Sequence, residues 1–173
     1  MLKSLKLTIF IAGGVAVMEI KEMEKSDSHI LEEFIYLAIF VPPNAEQPER
    51  SIIYNSDVFI YIENFGQEND CGLFAEVDGK AIGVAWTRII PAYGHIDNAT
   101  PELAISVLPE YRNQGVGAKL MERLFELLTQ RGYKQTSLAV QIENPAVNFY
   151  LRLGYEIINE NPKEYLMVKK LAI

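Results

Sequence analysis

The apolar positions of this chain keep a helical period early and a strand period later, and the change between them marks its elements. Over residues 26–40, Ile30, Leu31, Phe34, Ile35, Leu37 and Ala38 recur at the spacing of one broad helix face. Ser26 or Asp27 stands where an N-cap belongs. Val41-Pro42-Pro43-Asn44 then breaks the pattern, since proline lacks the N–H that a helix needs. A second helical stretch is expected from about residue 48 to residue 65, although Val58-Phe59-Ile60-Tyr61-Ile62 inside it reads equally well as a strand. Residues 66–70 are polar and read as a loop.

Past this loop the period drops to two. Residues 72–77 and 81–90 flank Asp78-Gly79, the strongest short signal for a hairpin. Residues 91–101 form a longer connection containing Tyr93-Gly94-His95, and residues 102–108 the next strand. In that strand Glu102, Ala104 and Ser106 share one face and Leu103, Ile105 and Val107 the other; a slip of one residue would exchange them. Val116, Leu120, Leu124, Leu127 and Leu128 make the stripe of a helix that runs to Gln130. Arg131 and Gly132 close it with a cation and a C′ glycine. Residues 136–142 alternate again, with Leu138, Val140 and Ile142 on one face. Asn144 and Pro145 open a short helix that Gly154 closes, and residues 155–158 and 165–168 read as a final hairpin. Helices first, then strands with two helices between them, predict a mixed α/β domain of the layered α+β kind.

The N-terminus fits this frame least well. Lys3 and Lys6 precede an apolar run over residues 7–18. The run is too short to span a bilayer as a helix, and it resembles the apolar region of a secretory leader. It reads as the leader of an exported protein, as an added strand, or as residues ahead of a true start at Met18. The domain is expected over residues 17–173, with residues 1–16 an apolar extension.

Composition narrows the function. At 173 residues, one domain is expected. A net charge of −7 argues against nucleic acid as a partner and suits either a cationic ligand or plain solubility. Cys71 is the only cysteine, and His29 and His95, the only histidines, lie far apart. Neither a disulfide framework nor a metal site is expected, and a reducing cytoplasm suits such a chain.

The chemistry gathers where the strand over residues 102–108 meets the following helix. Arg112-Asn113-Gln114-Gly115-Val116-Gly117-Ala118 places two glycines at the first turn of that helix. Bare backbone N–H groups at a helix's positive end make a site for phosphate. A Walker loop does not fit, because Gly117 is followed by Ala118, Lys119 and Leu120. A dinucleotide fingerprint fails too, because Leu120 stands where its third glycine or alanine belongs. A glycine-rich turn without a ligand is the plainer alternative.

This run, with Val107-Leu108-Pro109-Glu110-Tyr111 before it, resembles the pyrophosphate-binding motif of the GCN5-related N-acetyltransferases, the GNAT family. Asn144-Pro145-Ala146-Val147-Asn148-Phe149-Tyr150-Leu151-Arg152-Leu153-Gly154-Tyr155 resembles that family's C-terminal motif: an asparagine, a short helix carrying a tyrosine, then glycine and an aromatic residue. The resemblance is good from about residue 72 onward and loose before it. It implies a mostly antiparallel central sheet flanked by helices, splayed between the family's fourth and fifth strands, the first of them beginning near Val17. It implies acetyl-CoA as acetyl donor, a small-molecule or peptide amine as acceptor, and direct attack in a ternary complex. Neither nucleic acid nor membrane is an expected partner, and a homodimer through the C-terminal strands follows by analogy alone.

The resemblance also assigns residues. Arg112 begins the pyrophosphate loop, and backbone N–H groups of Asn113, Gln114, Gly115, Val116, Gly117 and Ala118 hold the diphosphate. Ile105 and Val107 offer backbone hydrogen bonds to the pantetheine arm, which lies along the sheet like an added strand. Asn144 contacts the cofactor, and Tyr150 lies near its sulfur and protonates the departing thiolate. A phenol of pKa ~10 suits a leaving group of comparable basicity. Glu102 is the carboxylate placed to act as base, directly or through water.

Each assignment has a plainer alternative: a solvated cation at Arg112, core packing at Ile105 and Val107, helix capping at Asn144, a core hydroxyl at Tyr150, a solvated strand end at Glu102. Trp86, Tyr36, Tyr54, Tyr61 and Tyr93 are candidates for an acceptor pocket, and Glu63, Glu68, Asp70 and Glu76 for attracting a cationic amine. The alternative function is a protein that binds acyl-CoA without turning it over, as a sensor or interaction module.

Overall fold

The computed structural model describes residues 4–11 and 13–172. A hairpin opens the chain: β1 (Leu5–Ile11) pairs antiparallel with β2 (Gly14–Glu22). Residues 7–11 and 14–18 of the N-terminal apolar run are strand here; the hairpin buries Ile9, Met18 and Ile20 and leaves Phe10, Val15 and Val17 exposed. A 3-10 helix over Lys25–Ile30 leads into α1 (Leu31–Ala38), so the expected helix over residues 26–40 is shorter and starts tighter. Glu24 is the N-cap, not Ser26 or Asp27; the Asp27 carboxylate accepts the Glu24 N–H at 2.8 Å and closes the first turn. The second helical stretch resolves into a 3-10 helix over Arg50–Tyr54 and a single turn, α2 (Ser56–Phe59). Residues 58–62 are not a strand.

β3 (Cys71–Val77) and β4 (Lys80–Arg88) form the expected hairpin. Asp78 (φ 50°) and Gly79 (φ 78°) supply the left-handed pair that its two-residue turn requires. β5 (Glu102–Val107) pairs antiparallel with β4. Then come α3 (Val116–Gln130), β6 (Gln135–Gln141), α4 (Ala146–Arg152), β7 (Glu156–Glu160) and β8 (Glu164–Lys170). One sheet holds all eight strands in the order β1-β2-β3-β4-β5-β6-β8-β7, antiparallel throughout except between β5 and β6.

Two layers of helix cover it. α3 lays the predicted apolar stripe, with Met121 added, on β3 and β4. α1 packs on β5 from the opposite face, where the Ser106 hydroxyl donates to the Phe34 carbonyl at 2.6 Å. Ser106 and its face-mates therefore point toward α1, and Ile105 and Val107 toward α3, in the register expected. Leu138 and Val140 are buried, but Ile142 lies past the end of β6 and is 37% exposed.

β5 and β6 pair at a single position. Glu102 stands opposite Ser137, whose N–H donates to the Pro101 carbonyl at 3.1 Å. Beyond it β5 keeps to β4 and β6 keeps to β8. The two strands diverge and leave a gap, the splay expected between the fourth and fifth strands counted from β2. Among the described residues no helix is long and apolar enough to cross a membrane.

Candidate active site

The β5 edge of the gap carries unused backbone groups. Leu108 N–H donates to the Ile82 carbonyl at 2.9 Å, and such bonded pairs alternate along an antiparallel ladder. With Val107 opposite Gly83 and Ile105 opposite Ala85, the backbone groups of Ile105 and Val107 turn away from β4, into the gap. Their side chains meanwhile pack toward α3, so the binding and packing readings of these two residues are compatible. One acceptor is already taken: Arg112 Nε–H donates to the Val107 carbonyl at 2.9 Å. Arg112 is exposed yet braces the loop against the end of β5. Of Val107 only the N–H remains for a ligand.

The loop that follows is bare. Asn113 (φ 59°) and Gly115 (φ 82°) both take left-handed backbone, and Gly115 is the N-cap of α3 with no side chain capping it. The first N–H groups of α3, from Val116, Gly117 and Ala118, have no partner within the helix. A Cβ on Gly115 would meet nothing within 4 Å. One on Gly117 would lie 3.5 Å from Phe149 Cζ, 3.8 Å from Val107 and 3.9 Å from Ile105. The bare backbone of Gly117 thus faces the mouth of the gap. Unpaired donors, a positive helix end and missing side chains fit a diphosphate.

α4 closes the other side. Phe149 reaches toward Gly117 from it, so α4 lies on the α3 face. Asn144 Oδ1 accepts the Ala146 N–H at 2.9 Å, so that oxygen is spent on the start of α4. Tyr150 packs 5.5 Å from Phe149 and edge-on to Tyr155 at 5.7 Å between ring centroids. The residue is half-buried, but protein crowds its hydroxyl, and this desolvation pushes the phenol up to about 12.

Glu102 is no solvated strand end. It is 2% exposed. Its Oε1 accepts both the Tyr61 hydroxyl and, at 2.8 Å, the Gly94 N–H, while its Oε2 is buried without a partner. Burial raises the pKa of this carboxyl, against the two hydrogen bonds and nearby His95, which lower it. Tyr61 is itself pushed up, by burial first and then by the charge of Glu102, and stays a donor. The Ser137 hydroxyl donates to the Gly94 carbonyl at 2.7 Å, which fixes the loop over residues 91–100 above the β5–β6 junction. Gly94 was not singled out from the sequence; a glycine inside a long connection was its only signal.

The remaining candidates divide. Trp86 is wholly buried, and its indole N–H donates to the Tyr61 carbonyl at 2.9 Å, so it supports Tyr61 and lines no pocket. Tyr36 donates to the Pro48 carbonyl at 2.8 Å. Tyr54 and Tyr93 are exposed, and Tyr93 donates to Asp57 at 2.5 Å. Asp70 is paired with Arg88 at 3.0 Å and Glu76 with Lys21 at 2.8 Å, so neither is free to draw in a cation. Glu63 and Glu68 are exposed.

The gap therefore has two sides: a bare helix end with Tyr150 on the α3 face, and buried Glu102 with Tyr61 on the α1 face. Known proteins share this arrangement at the level of fold. The chain superposes on the PaiA N-acetyltransferase of Thermoplasma acidophilum, solved in complex with coenzyme A, with a TM-score of 0.66 at 20% identity, over 88% of this chain and 98% of that one. It is 30% identical over 131 residues to an uncharacterized N-acetyltransferase of Archaeoglobus fulgidus, covering 71% of this chain and 82% of the relative. It is 32% identical over 90 residues to the probable N-acetyltransferase camello of Xenopus tropicalis, but spans 40% of that protein's length and 51% of its own. The family model described as "Acetyltransferase (GNAT) family" matches residues 32–155, and the chain belongs to that family.

Proposed function

We propose that the protein moves an acetyl group from acetyl-CoA to a primary amine by direct attack in a ternary complex. The gap between β5 and β6, with the uncapped first turn of α3 at its mouth, carries this reading. The coenzyme A held by the PaiA relative supports the class of donor. The N–H groups over residues 113–118 hold the diphosphate, and the free groups of Ile105 and the Val107 N–H hold the pantetheine arm.

The amine enters from the Glu102 face. Its nitrogen bonds to the thioester carbonyl carbon and the C–S bond breaks. A β5 backbone N–H near Val107 stabilises charge on the carbonyl oxygen. The sulfur takes a proton from the Tyr150 hydroxyl, and the nitrogen loses one to Glu102, directly or through a water. The raised phenol of Tyr150 is protonated at neutral pH, as an acid must be. Cys71 is buried on β3 and takes no acyl group.

Calorimetry with CoA and acetyl-CoA, followed by thiol release over a panel of amines, tests this. Micromolar to millimolar binding with turnover of at least one amine is expected. Binding without release from any amine, unaltered by Tyr150→Phe, would leave a binding module instead.

A further inference from the structure

Three carboxylates gather on the side of the gap that faces α1. Glu102 is 2% exposed, with its Oε2 unpartnered. Glu164 opens β8 opposite Gln141, in the register that sets Leu166 opposite Ala139 and Val168 opposite Ser137. Residues directly opposite one another share a face, as do residues two apart on one strand. Ser137 donates its hydroxyl to the Gly94 carbonyl at 2.7 Å, so Glu164 lies on the face that the loop over residues 91–100 covers. Asp57, on α2, accepts the Tyr93 hydroxyl at 2.5 Å.

Two adjacent residues of that loop join these acids. Gly94 gives its N–H to Glu102 at 2.8 Å, and Tyr93 gives its hydroxyl to Asp57. The Tyr93 side is open, at 55% exposure, and the charges of Asp57 and Glu164 both reach it. The charge of Glu164 also reaches Glu102 and Tyr61. Asp70 and Glu76 are spent on Arg88 and Lys21. Among the described residues neither Asp57 nor Glu164 is in an ion pair.

We propose that the acceptor is a diamine, or an amine with a second cationic group a short alkyl chain away, and that its far ammonium sits against Tyr93 between Asp57 and Glu164. The inference rests on acetyl transfer to an amine that enters over Glu102. The reacting nitrogen must lose its protons, and the far one keeps them. An open phenol ring and two unpaired carboxylates attract that far cation and hold the near nitrogen at Glu102. A neutral far end forfeits the attraction, and a carboxylate there is repelled.

Three acceptors of one length test this on the whole chain with acetyl-CoA: cadaverine, 5-aminopentanol and 5-aminopentanoate, whose far ends are cationic, neutral and anionic. The kcat/KM for cadaverine should exceed that for 5-aminopentanol about tenfold or more, mainly through KM, with 5-aminopentanoate the poorest of the three. Glu164→Gln should cut the first ratio to about threefold or less, and Asp57→Asn should lower it too. A ratio taken on one sample does not depend on how much of it is folded. Calorimetry of the three amines on protein saturated with CoA should give the same order without turnover. A wild-type ratio near one, or a ratio that neither variant moves, would overturn the inference and leave acetyl transfer standing. No acetylation of any amine, and no order in their binding, would take both down.

Discussion

The Tyr61 hydroxyl donates to Oε1 of Glu102 across 41 residues of sequence, leaving Oε2 of the same carboxylate buried and unpartnered. One oxygen is fixed by the protein, and the other is buried with no hydrogen-bond partner. Tyr61 comes from the turn after α2 and Glu102 from the first residue of β5, so the pair also ties that turn to the floor of the gap.

The pH profile follows from that contact. Burial raises the Glu102 pKa and the Tyr61 bond lowers it. A base works in its ionised form, so activity is lost as pH falls through its pKa. Tyr61→Phe removes the lowering contact and should move the acid limb of kcat/KM to higher pH. His95, Glu164 and Gly94 remain to act on the carboxyl, so the limb shifts and does not vanish. A limb that stays in place would remove Glu102 from the mechanism.

Gly94 has no room for a side chain. A Cβ there would lie 2.8 Å from Glu102 Cδ and 2.9 Å from the Ala139 backbone nitrogen. The second neighbour is main chain of a central strand and cannot swing aside. Gly94→Ala should cost about 1–3 kcal/mol of stability, read by urea unfolding, and should lower kcat/KM as the loop lifts from Glu102. An alanine variant as stable as wild type would show that the loop is free to give way.

What could be read from sequence was local. The Asp78-Gly79 hairpin, the α3 stripe and the bare loop before α3 each depend on neighbours within a few residues, and each stands where expected. β1 was ambiguous because a short apolar run reads alike as leader or strand, and the pairing with β2 that makes it a strand here is a tertiary contact. The tight turn ahead of α1 is closed by contacts between Glu24 and Asp27, among them the Asp27 carboxylate on the Glu24 N–H, which hydrophobic periodicity does not show. Glu102 read as a possible solvated strand end because its burial comes from Tyr61 and from a loop with no period of its own.

Gly117 separates fold from function. Its nearest protein neighbour to a new Cβ is Phe149 at 3.5 Å, an ordinary contact. Gly117→Ala should therefore keep the fold and gain up to about 1 kcal/mol from helix propensity. The added methyl occupies the mouth of the gap, so CoA affinity should fall about tenfold. Thermal unfolding and calorimetry on the same sample decide this. Unchanged affinity would place the diphosphate elsewhere.

Tyr150→Phe keeps the ring against Phe149 and Tyr155 and removes only the hydroxyl. Loss of a general acid costs about 100-fold or more in kcat. With the phenol pushed up to about 12, no basic limb from Tyr150 should appear below about pH 11 in the wild type. A kcat within a few-fold of wild type would assign the proton to water.

Arg88 connects stability to the same site. Its Nε donates to Asp70 Oδ1 at 3.0 Å, and its Nη1 donates to the carbonyls of Ile60 (2.9 Å) and Glu63 (2.7 Å), on either side of Tyr61. The Arg88 and Asp70 side chains are 7% and 4% exposed, so water cannot replace either partner. Asp70→Asn leaves a buried guanidinium without its counter-charge, at a cost of about 3–5 kcal/mol. If Arg88 then draws away from the two carbonyls, Tyr61 loosens, and the acid limb of kcat/KM should move in the direction that Tyr61→Phe moves it. Urea unfolding reads the first effect and the pH profile the second. Full destabilisation with an unmoved limb would show that Tyr61 is held without Arg88, by the indole N–H of Trp86 on its carbonyl and by its own bond to Glu102.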